Sequence, residues 1–294
     1  MSKTDTNFQI KKSNRFTWVI AVVIILVIAV GIFFYFKSQR TGEVVFGDTL
    51  KVHCLPAIAG EEHLLKFIAQ NIAPDYGLKI EAVLLQDSIQ ANLAVAEGRY
   101  AATIHQHQWW LKQVIDANGF ELTPTLPVFQ WGFGIYSDKY KSIKELPQNA
   151  IVAIPIDGAN QAQALWLLQR EGLLVLNPQI EPRVAKIRDI TDNPRKFDFR
   201  EFDLMTLPRV LDSVDAAVGY IANFDAGKIP REKGILFPPA PKTFASQLVI
   251  GTKYLNDPKI KKLQEVFKDK RVEEYLRTTD NPLVHGVLMP VSKD

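Results

Sequence analysis

Residues 105–110 read HQHQWW and combine side chains that could bind a metal, a nucleic-acid base or a small molecule. His105 and His107 would share one face of an extended strand, so both could ligate one metal ion. Nothing local supplies a third ligand. Folding could bring up one of three other candidates: His53, His63 and Asp87.

The two tryptophans that follow leave three further interpretations open. Trp109 or Trp110 could pack in the core, or could stack on bases. A strand that ends in alternating His and Gln and then opens a helix with two tryptophans is, however, costly to bury. Aromatic walls with a few polar groups are typical of a cleft that binds a small molecule, and we favour that interpretation.

Motifs for catalysis or phosphate binding are missing from the sequence. The pair Gly132 and Gly134 lacks the third glycine and the following helix of a dinucleotide loop. Neither G-x-S-x-G nor H-E-x-x-H occurs. Glu61, Glu62 and Asp203 are not paired by spacing for acid–base work. We therefore predict no catalytic residues, no cofactor, no resident metal and no enzyme activity.

Composition narrows the class of protein further. The chain has 294 residues, enough for one large or two medium domains, and a formal net charge of +3. That small charge argues against a general nucleic-acid-binding protein. Cys54 is the single cysteine, which excludes an internal disulfide and a Cys-rich zinc site.

The N-terminal segment predicts a membrane anchor. Residues 16–36 form an uncharged apolar run long enough to span a bilayer, with Trp18 and Tyr35 near its ends. The basic excess on its N-terminal side predicts a cytoplasmic tail at 1–15. No small-residue cleavage site follows the run. We expect an uncleaved single-pass helix, a linker at 37–48, and a domain on the periplasmic or extracellular side.

After the linker, strand-like and helix-like segments alternate. Strands are predicted at 49–55, 78–85, 100–104, 132–136, 150–155, 215–219 and 246–250, and helices at 61–73, 92–97, 161–171 and 259–268. This alternation predicts an α/β fold with mainly parallel sheets.

An ordered series of short motifs resembles the methionine-binding lipoproteins, which are substrate-binding subunits of methionine-type ABC importers. The matching segments, written in sequence letters, are GEEH at 60–63, DSIQAN at 87–92, HQHQWWL at 105–111, GIYS at 134–137, KSIKELP at 141–147, AIPIDGAN at 153–160, DI at 189–190, NPR at 193–195, LPR at 207–209 and VDAAV at 214–218. Each motif is short, but their order over most of the chain is specific.

The resemblance implies a two-lobed periplasmic-binding-protein fold of type II character. Lobe one would comprise 49–131 and 248–294, and lobe two 132–247, with hinge strands at 132–136 and 246–250. The ligand would be held between the lobes and passed to ABC permease and ATPase subunits, and we expect a monomer. By position, the residues implied to bind the ligand are Asn92, His105, His107, Trp110, Asn160, Gln163 and Asn223.

Departures from the family pattern affect the ligand more than the fold. The family continues Asn-x-Gly-Arg-Ala-Leu, and its arginine holds the carboxylate of the ligand, whereas this chain has Gln163 there. His105 replaces an aromatic residue and Trp109 a proline. The resemblance therefore implies a methionine-like amino acid or a derivative, with weak binding of free L-methionine. A metal or metal chelate held by His105 and His107 is the alternative.

Overall fold

The computed structural model describes residues 46–239 and 241–291. The predicted tail, the predicted anchor at 16–36 and most of the predicted linker lie outside these residues. Among the helices that the model does describe, none is long and apolar enough to cross a membrane.

Two mixed sheets and seven helices organise this part of the chain. The strands are β1 (Thr49–Cys54), β2 (Lys79–Leu84), β3 (Ala102–Thr103), β4 (Leu122–Trp131), β5 (Phe133–Tyr136), β6 (Ile151–Pro155), β7 (Val175–Leu176), β8 (Ile190–Asp192), β9 (Asp198–Phe202), β10 (Ala216–Tyr220), β11 (Gly234–Leu236), β12 (Ala245–Gly251) and β13 (Leu288–Met289). The α-helices are α1 (Ala59–Asn71), α2 (Ser88–Glu97), α3 (Gln108–Asn118), α4 (Gly158–Arg170), α5 (Ile221–Ala226), α6 (Pro258–Lys268) and α7 (Lys270–Thr278).

Each of two lobes is built on one of the large sheets. The first sheet has the strand order β13-β4-β12-β3-β1-β2, and the second has the order β11-β5-β10-β6-β9. Strands β7 and β8 form a separate pair. The chain passes from the first sheet to the second at Gly132 and returns between β11 and β12. The result is the two-lobed α/β architecture that was predicted.

The expectation of mainly parallel sheets is wrong. Strand β1 is parallel to β2 and β3, and β6 is parallel to β9 and β10. Strands β4, β5, β11, β12 and β13 pair antiparallel with their neighbours. Parallel neighbours need a long crossover, usually a helix. Strands β4 and β5 are consecutive through Gly132 but lie in different sheets, so the connection between them is not a crossover that would place parallel neighbours in one sheet.

Helix α1 illustrates how the core of the first lobe forms. Leu64, Leu65 and Ile68 recur at helical spacing and are fully buried, whereas Lys66 is exposed and pairs with Glu62 one turn earlier. Burial of that apolar stripe holds the helix against the sheet, and thereby holds the carboxyl end of β1 at the cavity described next.

Candidate functional site

A cavity of about 210 Å³ lies between the two lobes and takes its walls from both. Its lining combines aromatic, aliphatic and neutral polar groups: Leu55, Ala57, Ile58, Gln86, Ser88, His105, Gln106, His107, Trp110, Trp131, Asn160, Leu204, Met205, Tyr220 and Asn223. Among the described residues that form this lining there is no lysine, arginine, aspartate or glutamate. Within that set, the two histidines are the side chains that could carry a charge near neutral pH.

The segment that carries the histidines is fixed by the first sheet. The Ile104 amide donates to the His53 carbonyl at 3.2 Å, and the Ser246 hydroxyl donates to the Ile104 carbonyl. The Gln247 amide donates to the Gln106 carbonyl at 2.9 Å. Because β1 and β12 hold the segment from two sides, this wall exists without a ligand.

His107 ends the extended segment and caps helix α3. Its Nδ1 accepts a hydrogen bond from the Trp110 amide at 3.3 Å, as an N-cap side chain does. The Trp110 ring lines the cavity and packs in a T-shaped arrangement with the His105 ring, at a centroid distance of 5.5 Å. Trp109 turns away and packs on Phe244 at 4.6 Å between ring centroids.

Asn92 does not line the cavity but contacts a residue that does. It is fully buried in helix α2, which Asp87 caps by accepting from the amides of Ile89 and Gln90. The Asn92 and Gln106 side chains exchange two amide hydrogen bonds of 2.9 and 2.7 Å. Asn92 thus orients Gln106, which lines the cavity in its place.

Asn160 and Gln163 occupy different depths in the second lobe. Asn160 lines the cavity, and its Oδ1 accepts from the Tyr220 hydroxyl at 2.7 Å. The same hydroxyl lies 2.8 Å from Gln163 Oε1. Since the hydroxyl has one proton, one of these two amides must turn its NH₂ group toward the phenol oxygen. Gln163 is 3% exposed and is not part of the lining, so Tyr220 separates it from the cavity.

Asn223 lines the cavity at the start of helix α5. Its Nδ2 lies 3.0 Å from the Met205 sulfur, and Met205 is another lining residue. Of the seven residues implied by the resemblance, the structure brings five to the cavity and places Asn92 and Gln163 one layer behind it.

Burial keeps both cavity histidines neutral. It lowers the pKa of His105 well below its usual value, and the neighbouring His53 lowers it further. Burial also lowers the pKa of His107 to about 4, although the Asn160 side chain acts in the opposite direction. The described residues of the cavity lining are therefore uncharged at neutral pH.

The metal-binding alternative finds no support in this arrangement. Nowhere in residues 46–239 and 241–291 do three His, Cys, Asp or Glu side chains come together in a way that could hold a metal ion. The three candidate third ligands have other partners. His53 is hydrogen-bonded with Thr103 and with the Leu85 carbonyl, His63 with Asn281, and Asp87 caps helix α2.

Glu61 is a buried acid next to the cavity. Its carboxyl oxygens accept from the Leu55 amide at 3.0 Å and the Trp131 indole at 3.1 Å, and both donors belong to cavity residues. Burial raises the pKa of Glu61 to about 8, because the two hydrogen bonds offset only part of the desolvation.

The sequence interpretation missed Tyr220 and Trp131. Tyr220 ends the buried strand β10, which was predicted to stop at 219, and a polar tip at the end of a buried strand was a usable signal. Trp131 ends β4, which was not predicted at all. Pro124 and Pro127 interrupt that strand, and proline argues against a strand within a sheet.

Comparison with known proteins gives concordant matches over both lobes. The NlpA lipoprotein family model matches residues 55–287, which include every residue of the cavity lining. A probable D-methionine-binding lipoprotein MetQ of Vibrio cholerae is 30% identical over 219 residues, which cover 73% of this chain and 80% of that protein. The D-methionine-binding lipoprotein MetQ of Escherichia coli strain K12 is 29% identical over 256 residues, covering 82% of this chain and 94% of the relative.

Solved structures give the same picture. A nutrient-binding protein from Burkholderia cenocepacia, bound to methionine, has a TM-score of 0.69 and 28% identity, covering 82% of this chain and 98% of that one. The likeness extends over nearly the whole of that neighbour, so it includes both lobes.

Proposed function

The chain belongs to the NlpA lipoprotein family, and on that premise we propose that it is a solute-binding protein of an ABC importer. It captures a small molecule related to methionine between its two lobes and delivers it to permease and ATPase subunits. Relatives named for D-methionine binding and a neighbour bound to methionine support this class of ligand.

The proposal rests mainly on the fact that side chains from both lobes line the same cavity. His105, His107 and Trp110 come from the first lobe, and Asn160 and Tyr220 from the second. A ligand that touches both walls stabilises the closed arrangement, and closure then reports occupancy to a membrane partner.

We propose that the chain hinges where it changes sheets, so that lobe one comprises 49–131 with 245–294 and lobe two comprises 132–244. The boundary expected at 247/248, with a hinge strand at 246–250, would divide strand β12, which belongs to the first sheet. Gly132 suits the first crossing. A Cβ atom there would lie 2.4 Å from Ile221 Cδ1 and 3.3 Å from the Gly286 carbonyl oxygen. The second crossing comprises residues 237–244.

For the cellular setting, we propose a monomer tethered to the outer face of the membrane by the helix predicted at 16–36. Binding without turnover is the activity expected of such a subunit.

The proposal is tested with the purified permease and ATPase in lipid vesicles. Adding the full-length protein with its ligand should raise ATP hydrolysis and ligand uptake together. Uptake that does not depend on this protein would contradict the proposed role.

A further inference from the structure

The side chains of His53, Thr103 and His105 in the first lobe form a hydrogen-bond network that begins at the Leu85 carbonyl. His53 Nε2 lies 2.8 Å from the Leu85 carbonyl oxygen, which can only accept, so Nε2 carries the proton. Burial lowers the pKa of His53, and the ring is neutral at physiological pH. Its Nδ1 therefore holds a lone pair, which accepts from the Thr103 hydroxyl at 2.9 Å.

The same hydrogen-bond network fixes the tautomer of His105. The hydroxyl of Thr103 has one proton, which it donates in the hydrogen bond to His53 Nδ1. Toward His105, 2.6 Å away, the hydroxyl oxygen can only accept, so His105 Nδ1 carries the ring proton. In the neutral ring, Nε2 is then an acceptor. It has no hydrogen-bond partner among the described residues, although it is buried in a ring that lines the cavity.

His107 has the opposite tautomer. Its Nδ1 accepts from the Trp110 amide, so in the neutral ring the proton resides on Nε2. That Nε2 donates no hydrogen bond to any residue in the described part of the chain. The nearby Asn160 side chain opposes the lowering of the His107 pKa by burial. Two histidines two residues apart therefore offer one acceptor and one donor.

We propose that this pair makes the cavity selective for a ligand bearing a neutral group with its own donor and acceptor, such as a carboxamide, in place of a carboxylate. This inference rests on the proposed function and specifies its ligand class. A carboxylate only accepts, so it would leave the His105 lone pair unpaired and facing negative charge. None of the described residues that line the cavity has a charged side chain to compensate the carboxylate.

Isothermal titration of the full-length protein in detergent with L-methionine and L-methioninamide tests the inference. The two probes share the side chain and the α-ammonium group and differ in carrying either a carboxylate or a neutral carboxamide. We expect the amide to bind roughly tenfold more tightly or better, about the value of one additional hydrogen bond. Equal affinity, tighter binding of L-methionine or binding of neither probe would overturn it.

Thr103 supplies the matched variants. Thr103→Val removes the hydroxyl at nearly constant volume, releases the His105 tautomer and should bring the two affinities close together. Thr103→Ser keeps the hydroxyl and should keep the preference for the amide. Histidine ¹⁵N NMR should find His105 Nε2 unprotonated in the wild type and partly protonated in Thr103→Val. An unchanged preference and unchanged spectrum in Thr103→Val would overturn the assignment.

Failure of this inference is distinguishable from failure of the proposed function. If a small molecule co-purifies with the protein but the amide has no advantage, only the ligand class is wrong. If neither probe binds and no small molecule co-purifies, the solute-binding role fails as well.

Discussion

The Nδ1 atom of His105 lies 2.6 Å from the hydroxyl oxygen of Thr103, within the first lobe and behind the surface that a ligand would touch. Thr103 is fully buried and also bonded to His53. The orientation of His105 is therefore set by the fold before any ligand arrives. Such preorganisation lowers the cost of ordering the site on binding.

Trp110 should contribute to binding more than to folding. Its ring lines the cavity and meets His105, and it is only partly buried in this state. We expect Trp110→Ala to weaken binding by roughly 1–3 kcal/mol, the scale for losing an aromatic contact with a ligand. Titration calorimetry measures this change, and thermal denaturation measures the accompanying change in stability.

The neighbouring tryptophan is the matched control. Trp109 packs against Phe244 and Trp166 and does not line the cavity. Trp109→Ala should reduce stability and leave affinity nearly unchanged. If Trp110→Ala lost stability alone, Trp110 would belong to the core.

An arginine at position 163 should not restore a carboxylate site. Gln163 is buried behind Tyr220 and borders a small space lined by Phe133, Trp166 and Phe244. A guanidinium there would be a buried charge without a partner, so we expect Gln163→Arg to destabilise the protein by roughly 3–5 kcal/mol. Urea denaturation measures this cost, with Gln108→Arg at an exposed position as the control. A stable variant that binds L-methionine tightly would refute the placement.

Glu61 should make stability fall as the pH rises. Its pKa is about 8 in the folded protein against 4.5 as the ordinary value, so the folded state holds the proton more firmly. The stabilisation is complete below about pH 4.5, declines between pH 4.5 and 8 by up to about 1.4 kcal/mol per pH unit, and is lost once the pH has risen through the folded-state pKa of about 8.

Removing the titrating group isolates this contribution. The stability of Glu61→Gln relative to the wild type should increase between pH 4.5 and 8, because only the wild type loses this contribution. Denaturation curves across that range test it. Glu62→Gln, which alters a carboxylate paired with Lys66 at the helix surface, is the control. A constant difference between Glu61→Gln and wild type would show that Glu61 does not titrate as described.

The predicted anchor can be tested in cells. The apolar run at 16–36 and the absent cleavage site predict that the full-length protein stays with membranes after a high-salt wash, with its C-terminus outside. Fractionation and protease accessibility measure both. A soluble mature form that begins near Thr41 would contradict the prediction.

Local patterns predicted much of the fold. Helix α1 and strands β1, β2 and β6 carry clear periodicity or continuous apolar runs, and each lies within two residues of its predicted bounds. Strand β4 was not predicted because its prolines argue locally against a strand. Its place in the sheet depends instead on pairing with β12, which is distant in the sequence. Whether neighbouring strands pair parallel or antiparallel could not be predicted either, since this depends on where the chain changes lobes.

The site divides in the same way. The pattern of His105, His107 and Trp110 predicted a polar and aromatic wall, and these residues lie on one wall of the cavity. The tautomers could not be predicted, because they depend on His53, Thr103 and Leu85 from three separate segments. Whether Gln163 lines the cavity or lies behind it depends on Tyr220, which is 57 residues away in the sequence.

Native mass spectrometry of the full-length protein shows whether the cavity between the lobes holds a solute. We expect one small molecule per chain, identifiable after release as a compound related to methionine, with lower occupancy in Trp110→Ala but not in Trp109→Ala. A protein that carries no small molecule, and that takes up neither L-methionine nor L-methioninamide when these are supplied, would show that the cavity is not a solute-binding site of this class.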